Sequence, residues 1–166
     1  LKDTNRNFRP LVYCWRGGQR SRAMAQIFSE IGWQTDLIDG GYKRYRKQVL
    51  DGLDTLPQRI NLIVVRGRTV LAKTHILQAA LAKGAQVIDL EAMANHRGSL
   101  LGQETHGEQP SQRLFESHLY NVLCQINPTH PIFIEGESNK IGQIHVPAAL
   151  WAAMREAISV LVDTKI

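Results

Sequence analysis

One cysteine lies in a glycine- and arginine-rich segment where a thiol could do chemistry. Cys14 follows a short apolar run and precedes a turn that leads into a helical pattern. Backbone N–H groups, the helix dipole and nearby arginines would favour the thiolate and lower the thiol pKa from about 8.5. The predicted anion cradle around the sulfur consists of Arg16, Gly17, Gly18, Gln19, Arg20 and Ser21. Such a cradle would bind an anion or stabilise a persulfide, whereas the plainer alternative is a buried structural cysteine.

A second segment has the spacing of a phosphate-binding loop. Residues 67–74 match the pattern G-x-x-x-x-G-K-[ST], except that Ala72 replaces the second glycine. Lys73 would reach phosphate oxygens, and Thr74 would contact Mg²⁺ if that ion is bound. The predicted phosphate-binding residues are Gly67, Arg68, Thr69, Lys73 and Thr74. The alternative is a loop of the same ancestry that no longer binds a nucleotide tightly.

Further acidic and polar residues follow predicted strands and could complete such a site. A Walker B type acid could come from Asp89, Glu91 or Glu135. The wider set of candidate acid, magnesium or substrate contacts is Asp89, Glu91, Asn95, His96, Arg97, Gly98, Glu135, Glu137 and Ser138. Glu135 and Glu137 could equally be a plain pair at a strand end. The six histidines show no metal-ligand spacing, so we expect no zinc site.

The elements that must position these residues alternate between strands and helices. In the first part, strands are predicted at 11–13 and 35–38, with a helix over 21–31 that is N-capped by Ser21. This helix carries the apolar residues Ala23, Met24, Ile27, Phe28 and Ile31 on one face. A basic helix over 42–53 follows, and we place a linker near 52–59.

The second part repeats the alternation and predicts an α/β fold. Strands are expected at 61–65, 86–90, 131–135 and 160–162, and helices at 73–83, 111–126 and 147–158. Residues 95–110 are polar and lack periodicity, which predicts a long functional loop. Cys124 lies on a helical pattern without basic neighbours and is predicted to be part of the core.

Composition and charge limit the class of protein and of partner. The chain has 166 residues, 43% of them hydrophobic, and a formal net charge of +5. Ten basic residues lie within the first 50 positions, which is typical of proteins with polyanionic partners, and a solvated basic face without a ligand is an equal alternative. No apolar run reaches the roughly 20 residues that span a bilayer, and no secretory signal is visible, so we expect a cytoplasmic protein without a membrane partner. The oligomeric state stays open.

The segment around Cys14 resembles the active-site loop of rhodanese domains. The downstream residues Gly32-Trp33, Leu37 and Gly40-Gly41-Tyr42 are similar to the end of such a domain. This resemblance implies that Cys14 carries sulfur or selenium. The spacing of Cys14, five residues, then Arg20 also resembles the loop of cysteine-dependent phosphatases, although these usually have histidine where this chain has Tyr13.

The order of both loops, with further motifs, resembles the tRNA 2-selenouridine synthase family. The matching motifs are DLEAMANHRGS at 89–99, QPSQ at 109–112, Phe115-Glu116, EGES at 135–138, Ile141-Gly142 and Pro147. The resemblance implies a partial rhodanese-like βαβ unit over 1–54, followed by a P-loop-NTPase-like parallel α/β domain over 58–166 that we expect to be truncated at its C-terminus.

Members of that family act on wobble 2-thiouridine in tRNA. The resemblance implies geranylation of the sulfur by geranyl diphosphate, then replacement of the thiogeranyl group by selenium from selenophosphate. Cys14 would handle selenium, Lys73 and Thr74 would hold a diphosphate, and residues 95–98 with the arginines would contact substrate or tRNA. The alternatives are a rhodanese-type sulfurtransferase and a non-catalytic module that binds tRNA or protein through a degenerate P-loop.

Overall fold

The fold consists of two α/β units along the chain. A computed structural model describes residues 7–16, 18–67, 70–96 and 108–162, without the side chains of 70–72. The chain divides into the compact units Leu1–Leu50 and Asp51–Ile166. Both units have the α/β character predicted from the alternating patterns, so the α/β class and its parallel sheet are confirmed.

The first unit is a small parallel βαβ arrangement. Its elements are β1 (Leu11–Val12), α1 (Gln19–Glu30), β2 (Asp36–Leu37) and the start of α2 (Gly41–Thr55). Strands β1 and β2 pair in parallel, with Leu11 opposite Asp36. Helix α1 connects the two strands, and the turn that contains Cys14 lies between β1 and α1.

Helix α1 differs from the prediction in its start and in the face that it buries. Gly18, with φ of 113°, is the N-cap, so the helix begins at Gln19 and the expected Ser21 cap is wrong. Glycine adopts a left-handed backbone conformation more easily than other residues do, which explains why the helix begins two residues before the predicted start at Ser21. The buried residues are Ser21 and Ala25, while the predicted apolar face leaves Met24, Ile27 and Ile31 exposed.

The second unit is built on a four-stranded parallel sheet. Its strands are β3 (Leu62–Gly67), β4 (Gln86–Ile88), β5 (Ile132–Glu135) and β8 (Ile158–Val162), in the spatial order β4-β5-β3-β8. Leu62 pairs with Ile132, and Ile63 pairs with both Phe133 and Ile158, so β3 lies between β5 and β8. The residues of β3 and β5 are mostly buried, as expected for a sheet covered on both faces.

Helices and one hairpin surround this sheet. The helices are α3 (Val70–Ala82), α4 (Leu90–Ala94), α5 (Gln112–Gln125) and α6 (Ala148–Glu156), and the antiparallel hairpin is β6 (Lys140–Ile141) with β7 (Ile144–His145). The sequence patterns predicted neither α4 nor the hairpin, because both are too short to show a period. Ser111 caps α5 by accepting a hydrogen bond from the Leu114 N–H at 3.3 Å.

Two further expectations are corrected by the described residues. Helix α2 does not end at Leu53: it runs to Thr55 and continues as a 3₁₀ helix over Leu56–Arg59, with Leu53 and Pro57 buried. Cys124 is exposed, so its predicted place in the core is wrong. Its neighbour Leu123 faces the core instead, because adjacent helical residues point about 100° apart.

The strand order predicts where a ligand would bind. In open parallel sheets, ligands bind at the carboxyl ends of the two strands between which the strand order reverses. The connection from β3 through α3 leads past β5 to β4, whereas the connection from β5 through α6 leads to β8 on the other side of β3. The chain therefore leaves β3 and β5 in opposite directions, which opens a crevice at their carboxyl ends. Gly67 ends β3 and Glu135 ends β5 at this crevice.

Candidate functional site

The Cys14 sulfur lies at the N-terminus of α1. The N–H of Gly18, the N-cap residue, donates a hydrogen bond to the Cys14 Sγ at 3.1 Å. The Ser21 hydroxyl, which is only 2% exposed, donates to the Gly18 carbonyl at 3.0 Å and so ties the first turn of the helix to its cap. Cys14 itself is partly exposed, which leaves its sulfur accessible to a small substrate.

Hydrogen bonding stabilises the thiolate form of Cys14. The pKa of the thiol falls to about 7, first because of hydrogen bonding by the Ser21 side chain and then by the Ser21 backbone, with smaller contributions from the Gly18 and Arg16 backbones. Partial burial opposes this shift by raising the pKa. The sequence predicted a lowered pKa, but it assigned part of the effect to arginine charge. In the structure Arg16 acts through its backbone instead.

The predicted anion cradle is assembled in part. Gly18 and Ser21 contact the cysteine loop, whereas the Arg16, Gln19 and Arg20 side chains are exposed around it. Gly17 lies outside the described residues. The Gly18 N–H therefore faces the Cys14 sulfur, and Arg16 and Arg20 are exposed in the same segment, so that this segment could bind an anion.

The N-terminus of α2 closes the cysteine loop from the other side. The Tyr42 N–H donates to the Cys14 carbonyl oxygen at 3.0 Å. A Cβ added at Gly41 would lie 2.3 Å from that same oxygen, so only glycine fits there. The Trp15 ring stacks on the Tyr42 ring, with centroids 4.3 Å apart and planes inclined by 11°. The sequence did not predict this contact of the loop with α2, because it joins residues about 28 positions apart.

The lysine of the phosphate-loop motif is buried and paired. Lys73 Nζ lies 2.8 Å from Glu137 Oε1, with side chains only 8% and 10% exposed. The sequence analysis named both residues as candidates without pairing them, and in the structure they lie together. However, the lysine charge is neutralised by a carboxylate. A phosphate group could gain the full charge of Lys73 only by displacing Glu137.

Two further carboxyl groups surround this pair at the sheet edge. Glu135, which is 1% exposed, accepts a hydrogen bond from the Glu91 N–H at 2.5 Å. Burial is the main cause that raises the pKa of Glu135 to about 8. Burial, and then the charge of Glu137, raises the pKa of Glu91 to about 7. These carboxyls can therefore hold a proton near neutral pH.

The remaining candidates of the second unit have mixed roles. Asp89 caps α4 by accepting from the Ala92 N–H at 2.8 Å, and Asn95 ends that helix with φ of 48°. The His96 Nδ1 is buried and has no hydrogen-bond partner among the described residues. The Ser138 hydroxyl bonds to the Lys140 backbone and stabilises a turn. Thr74 is half-buried near the start of α3.

Besides Gly17, four predicted residues cannot be placed. Arg68, Thr69, Arg97 and Gly98 lie outside the described residues. Among the residues that are described, no three His, Cys, Asp or Glu side chains form a group that could hold a metal ion. The described carboxylates therefore do not form a magnesium cage by themselves.

Two glutamines join the elements around the sheet edge, although the sequence patterns assigned them no contact. The Gln109 amide donates to the carbonyls of Ala94 and Ile141, both at 3.1 Å, and accepts from the Gln143 N–H at 2.8 Å. Gln112 makes two hydrogen bonds of 2.8 Å to the His145 backbone. The QPSQ motif was the only available signal, because a motif shows that residues matter without showing what they contact.

None of the helices in the described part of the chain is both long and apolar enough to cross a membrane.

Comparison with known proteins identifies relatives over nearly all of the chain. A tRNA 2-selenouridine synthase of Nitrosomonas europaea is 34% identical over 158 residues, which cover 93% of this chain and 40% of the relative. Those of Psychromonas ingrahamii and Aeromonas salmonicida are 37% and 38% identical, over 92% of this chain and 40% of each relative. The chain thus spans about 40% of the length of the curated relatives it matches. No solved structure gives a significant match.

A protein-family model covers most of the second unit. The model of the tRNA 2-selenouridine synthase AAA domain matches residues 60–166. This stretch contains the parallel sheet and the Lys73–Glu137 pair at its edge. Since the match extends over more than half of the chain and agrees with the named relatives, the chain belongs to the tRNA 2-selenouridine synthase family.

Proposed function

We propose that this protein takes part in replacing sulfur by selenium in the wobble 2-thiouridine of tRNA, with Cys14 as the chalcogen-carrying nucleophile. The observation that carries the proposal is the Cys14 thiol at the N-terminus of α1, with its pKa lowered to about 7, in a chain of this family. About half of such thiols are ionised at neutral pH, and the thiolate is the reactive form. The first unit would then be the rhodanese-like part of the enzyme, over 1–54, and 58–166 the P-loop-like part.

The proposed reaction has two bond exchanges. In the first, the sulfur of 2-thiouridine attacks the C1 carbon of geranyl diphosphate, the C–O bond breaks and pyrophosphate leaves. In the second, a selenium nucleophile derived from selenophosphate adds to C2 of the base, and the C–S bond breaks to release geranylthiol. We assign the handling of the chalcogen in this second exchange to Cys14, whose side chain is partly exposed: its thiolate would attack the phosphorus of selenophosphate, the P–Se bond would break to free the selenium nucleophile, and water would then hydrolyse the S-phosphocysteine to phosphate.

The second unit would bind the diphosphate. The crevice between β3 and β5 has the position that anionic ligands take in parallel α/β folds, and Lys73 lies there. In this proposal the diphosphate displaces Glu137 from Lys73, and the neighbouring carboxyls take up a proton as that charge is released. Thr74 is the candidate contact for Mg²⁺, should the diphosphate bring that ion with it.

The basic residues of the first 50 positions suit a tRNA substrate, since phosphate neutralisation dominates the affinity of nucleic-acid complexes. A tRNA substrate also implies that the protein works in the cytoplasm.

The decisive test is nucleoside mass spectrometry of bulk tRNA from cells whose only copy of the gene encodes the intact protein or a cysteine variant. We expect 2-selenouridine to disappear with Cys14→Ala and to persist with Cys124→Ala, the matched control on the exposed face of α5. Persistence of 2-selenouridine in the Cys14→Ala strain would overturn the assigned role of Cys14.

A rhodanese-type sulfurtransferase is the second candidate function, because the first unit alone holds Cys14 and its N–H cradle. There the thiolate would attack the outer sulfur of thiosulfate, the S–S bond would break and sulfite would leave. This candidate predicts sulfite release by the intact protein and normal 2-selenouridine in cells with Lys73→Met. A non-catalytic binding module predicts instead that Cys14→Ala changes nothing.

A further inference from the structure

The first unit contains a cavity beside the cysteine loop. Its volume is about 550 Å³, within the range of small-molecule and nucleotide sites. The walls are formed by the end of β1, the segment after β2 and the first two turns of α2. The residues on which the argument depends are Tyr13, Ile38, Tyr42, Arg44, Tyr45 and Gln48.

The cavity is lined mainly by aromatic and aliphatic surface. Tyr42 and Tyr45 lie next to each other with ring centroids 6.0 Å apart, and Trp15 stacks on Tyr42. Tyr13 is 60% exposed although it lies next to a strand. Flat, partly exposed rings are the surfaces on which unstacked nucleic-acid bases pack, and they accept any base because every base has a π face.

The wall of the cavity is joined directly to the reactive loop. Tyr13 immediately precedes Cys14, and the backbone of Tyr42 is hydrogen-bonded to the Cys14 carbonyl. Gly41 leaves no room between α2 and that carbonyl. The cavity and the cysteine loop are therefore held in one rigid arrangement.

The helix that forms one wall is strongly basic. Lys43 and Lys47 of α2 are exposed, and Arg44 is paired with Asp39 at the cavity rim. Arg46 adds a fourth cation to this part of the helix. Of these cations, Arg44 lines the cavity, whereas Lys43 and Lys47 lie on the far side of α2, because successive helical residues point about 100° apart. A basic helix next to an aromatic cavity suits a polymer that carries phosphates along its length and bases that can be inserted.

We propose that this cavity binds one unstacked base of an RNA loop, stacked against Tyr13 and Tyr45, while Lys43 and Lys47 contact phosphates farther along the RNA. Gln48, whose amide can both donate and accept, lines the same cavity. The base would then lie beside the loop that carries Cys14. This inference rests on the proposed function for the choice of RNA and adds the place where the reacting base is held.

The test measures RNA binding to the complete chain by fluorescence anisotropy, with labelled stem-loop RNAs that carry either a uridine or an abasic site at one loop position. We expect the protein to bind the uridine RNA about tenfold more tightly, which is within the range for stacking one base. Tyr13→Ala and Tyr45→Ala should remove this preference, whereas Tyr45→Phe, which keeps the ring, should retain it.

Charge variants separate base contacts from phosphate contacts. Lys47→Ala should weaken binding of both RNAs equally and reduce the dependence of log K on log salt by about one. Arg155→Ala, an exposed basic residue of α6, should change neither value and serves as the control. Equal melting temperatures of the tyrosine variants and the intact protein would show that the fold is preserved.

Three outcomes would overturn the inference. If both RNAs bind equally, no base enters the cavity, although RNA binding and the proposed function stand. If the tyrosine variants keep the preference for uridine, the base binds elsewhere. If neither RNA binds, the inference fails together with the tRNA part of the proposed function, while the role of Cys14 is still judged by the tRNA nucleosides in cells.

Discussion

For single residues, the structure explains how the pKa of a cysteine thiol is lowered without an adjacent base. The Cys14 sulfur accepts the N–H of the helix N-cap, and the small buried Ser21 adds the largest share of the pKa lowering. Hydrogen bonds to the thiolate stabilise it relative to the neutral thiol, and they therefore lower the pKa of Cys14.

The first prediction concerns the pH dependence of Cys14 alkylation. The thiol is protonated below its pKa and ionised above it, so the rate with iodoacetamide should rise with pH and reach half its plateau near pH 7. Ser21→Ala removes the main stabilising contact and should move this midpoint upward, with a rate at pH 7 that is lower by about threefold to tenfold. Mass spectrometry of the modified protein would give both rates.

A Cys124→Ser background ensures that only Cys14 is followed, since Cys124 is exposed and would react as well. A midpoint near 8.5 in the parent protein, or one that Ser21→Ala leaves in place, would contradict the role given to Ser21.

At the scale of the elements, the strand ends decide which side chains meet. Lys73 at the start of α3 and Glu137 after β5 are 64 positions apart, and they meet because β3 and β5 are neighbours in the sheet. Gln109 and Gln112 similarly hold the β6–β7 hairpin against α4 and α5. The edge of the sheet is thus organised by polar contacts between elements rather than by any single motif.

The second prediction concerns the pairing of Lys73 with Glu137. Glu137→Gln removes the competing negative charge, so the complete chain should bind inorganic pyrophosphate several-fold more tightly, as measured by isothermal titration calorimetry. Lys73→Met should abolish the binding. The replacement of Glu156, an exposed carboxylate of α6, by Gln is the matched control and should change nothing.

Weaker binding by Glu137→Gln would mean that Glu137 itself contacts the ligand, for example through a metal ion. In that case the carboxylate is part of the binding site and does not compete with the ligand for Lys73.

At the scale of the whole molecule, the two units differ in how much of their backbone is protected. In the second unit, β3 and β5 are flanked by other strands and contain fully buried residues such as Ile132 and Ile134. In the first unit, β1 and β2 have two residues each and expose Leu11 and Leu37. Local opening requires less free energy where few apolar contacts are broken.

The third prediction follows from this difference. In hydrogen exchange followed by mass spectrometry, the amides of β3 and β5 should exchange most slowly, and those of β1 and β2 should exchange fastest among the strands. If the amides of β1 and β2 exchanged as slowly as those of β3 and β5, the prediction would be wrong. That result would indicate that contacts outside the described residues stabilise the short strands.

The features that depend on neighbouring residues could be predicted from the sequence. It placed a cysteine between a strand and a helix, predicted its lowered pKa, and gave the alternation of strands and helices that defines the α/β class. These features were predictable because turn formation, helical periodicity and N–H groups at a helix start are local properties. The family followed from motifs in the same way, since the order of short patterns is visible without a fold.

Which side chains are buried and what they contact depends on three-dimensional packing. In the structure Met24 and Cys124 are exposed, Lys73 pairs with Glu137, and Trp15 stacks on Tyr42 beside a cavity. Helical periodicity shows that a helix has an apolar face but not whether another element covers it. Contacts between residues far apart depend on strand order and packing, which no local pattern contains.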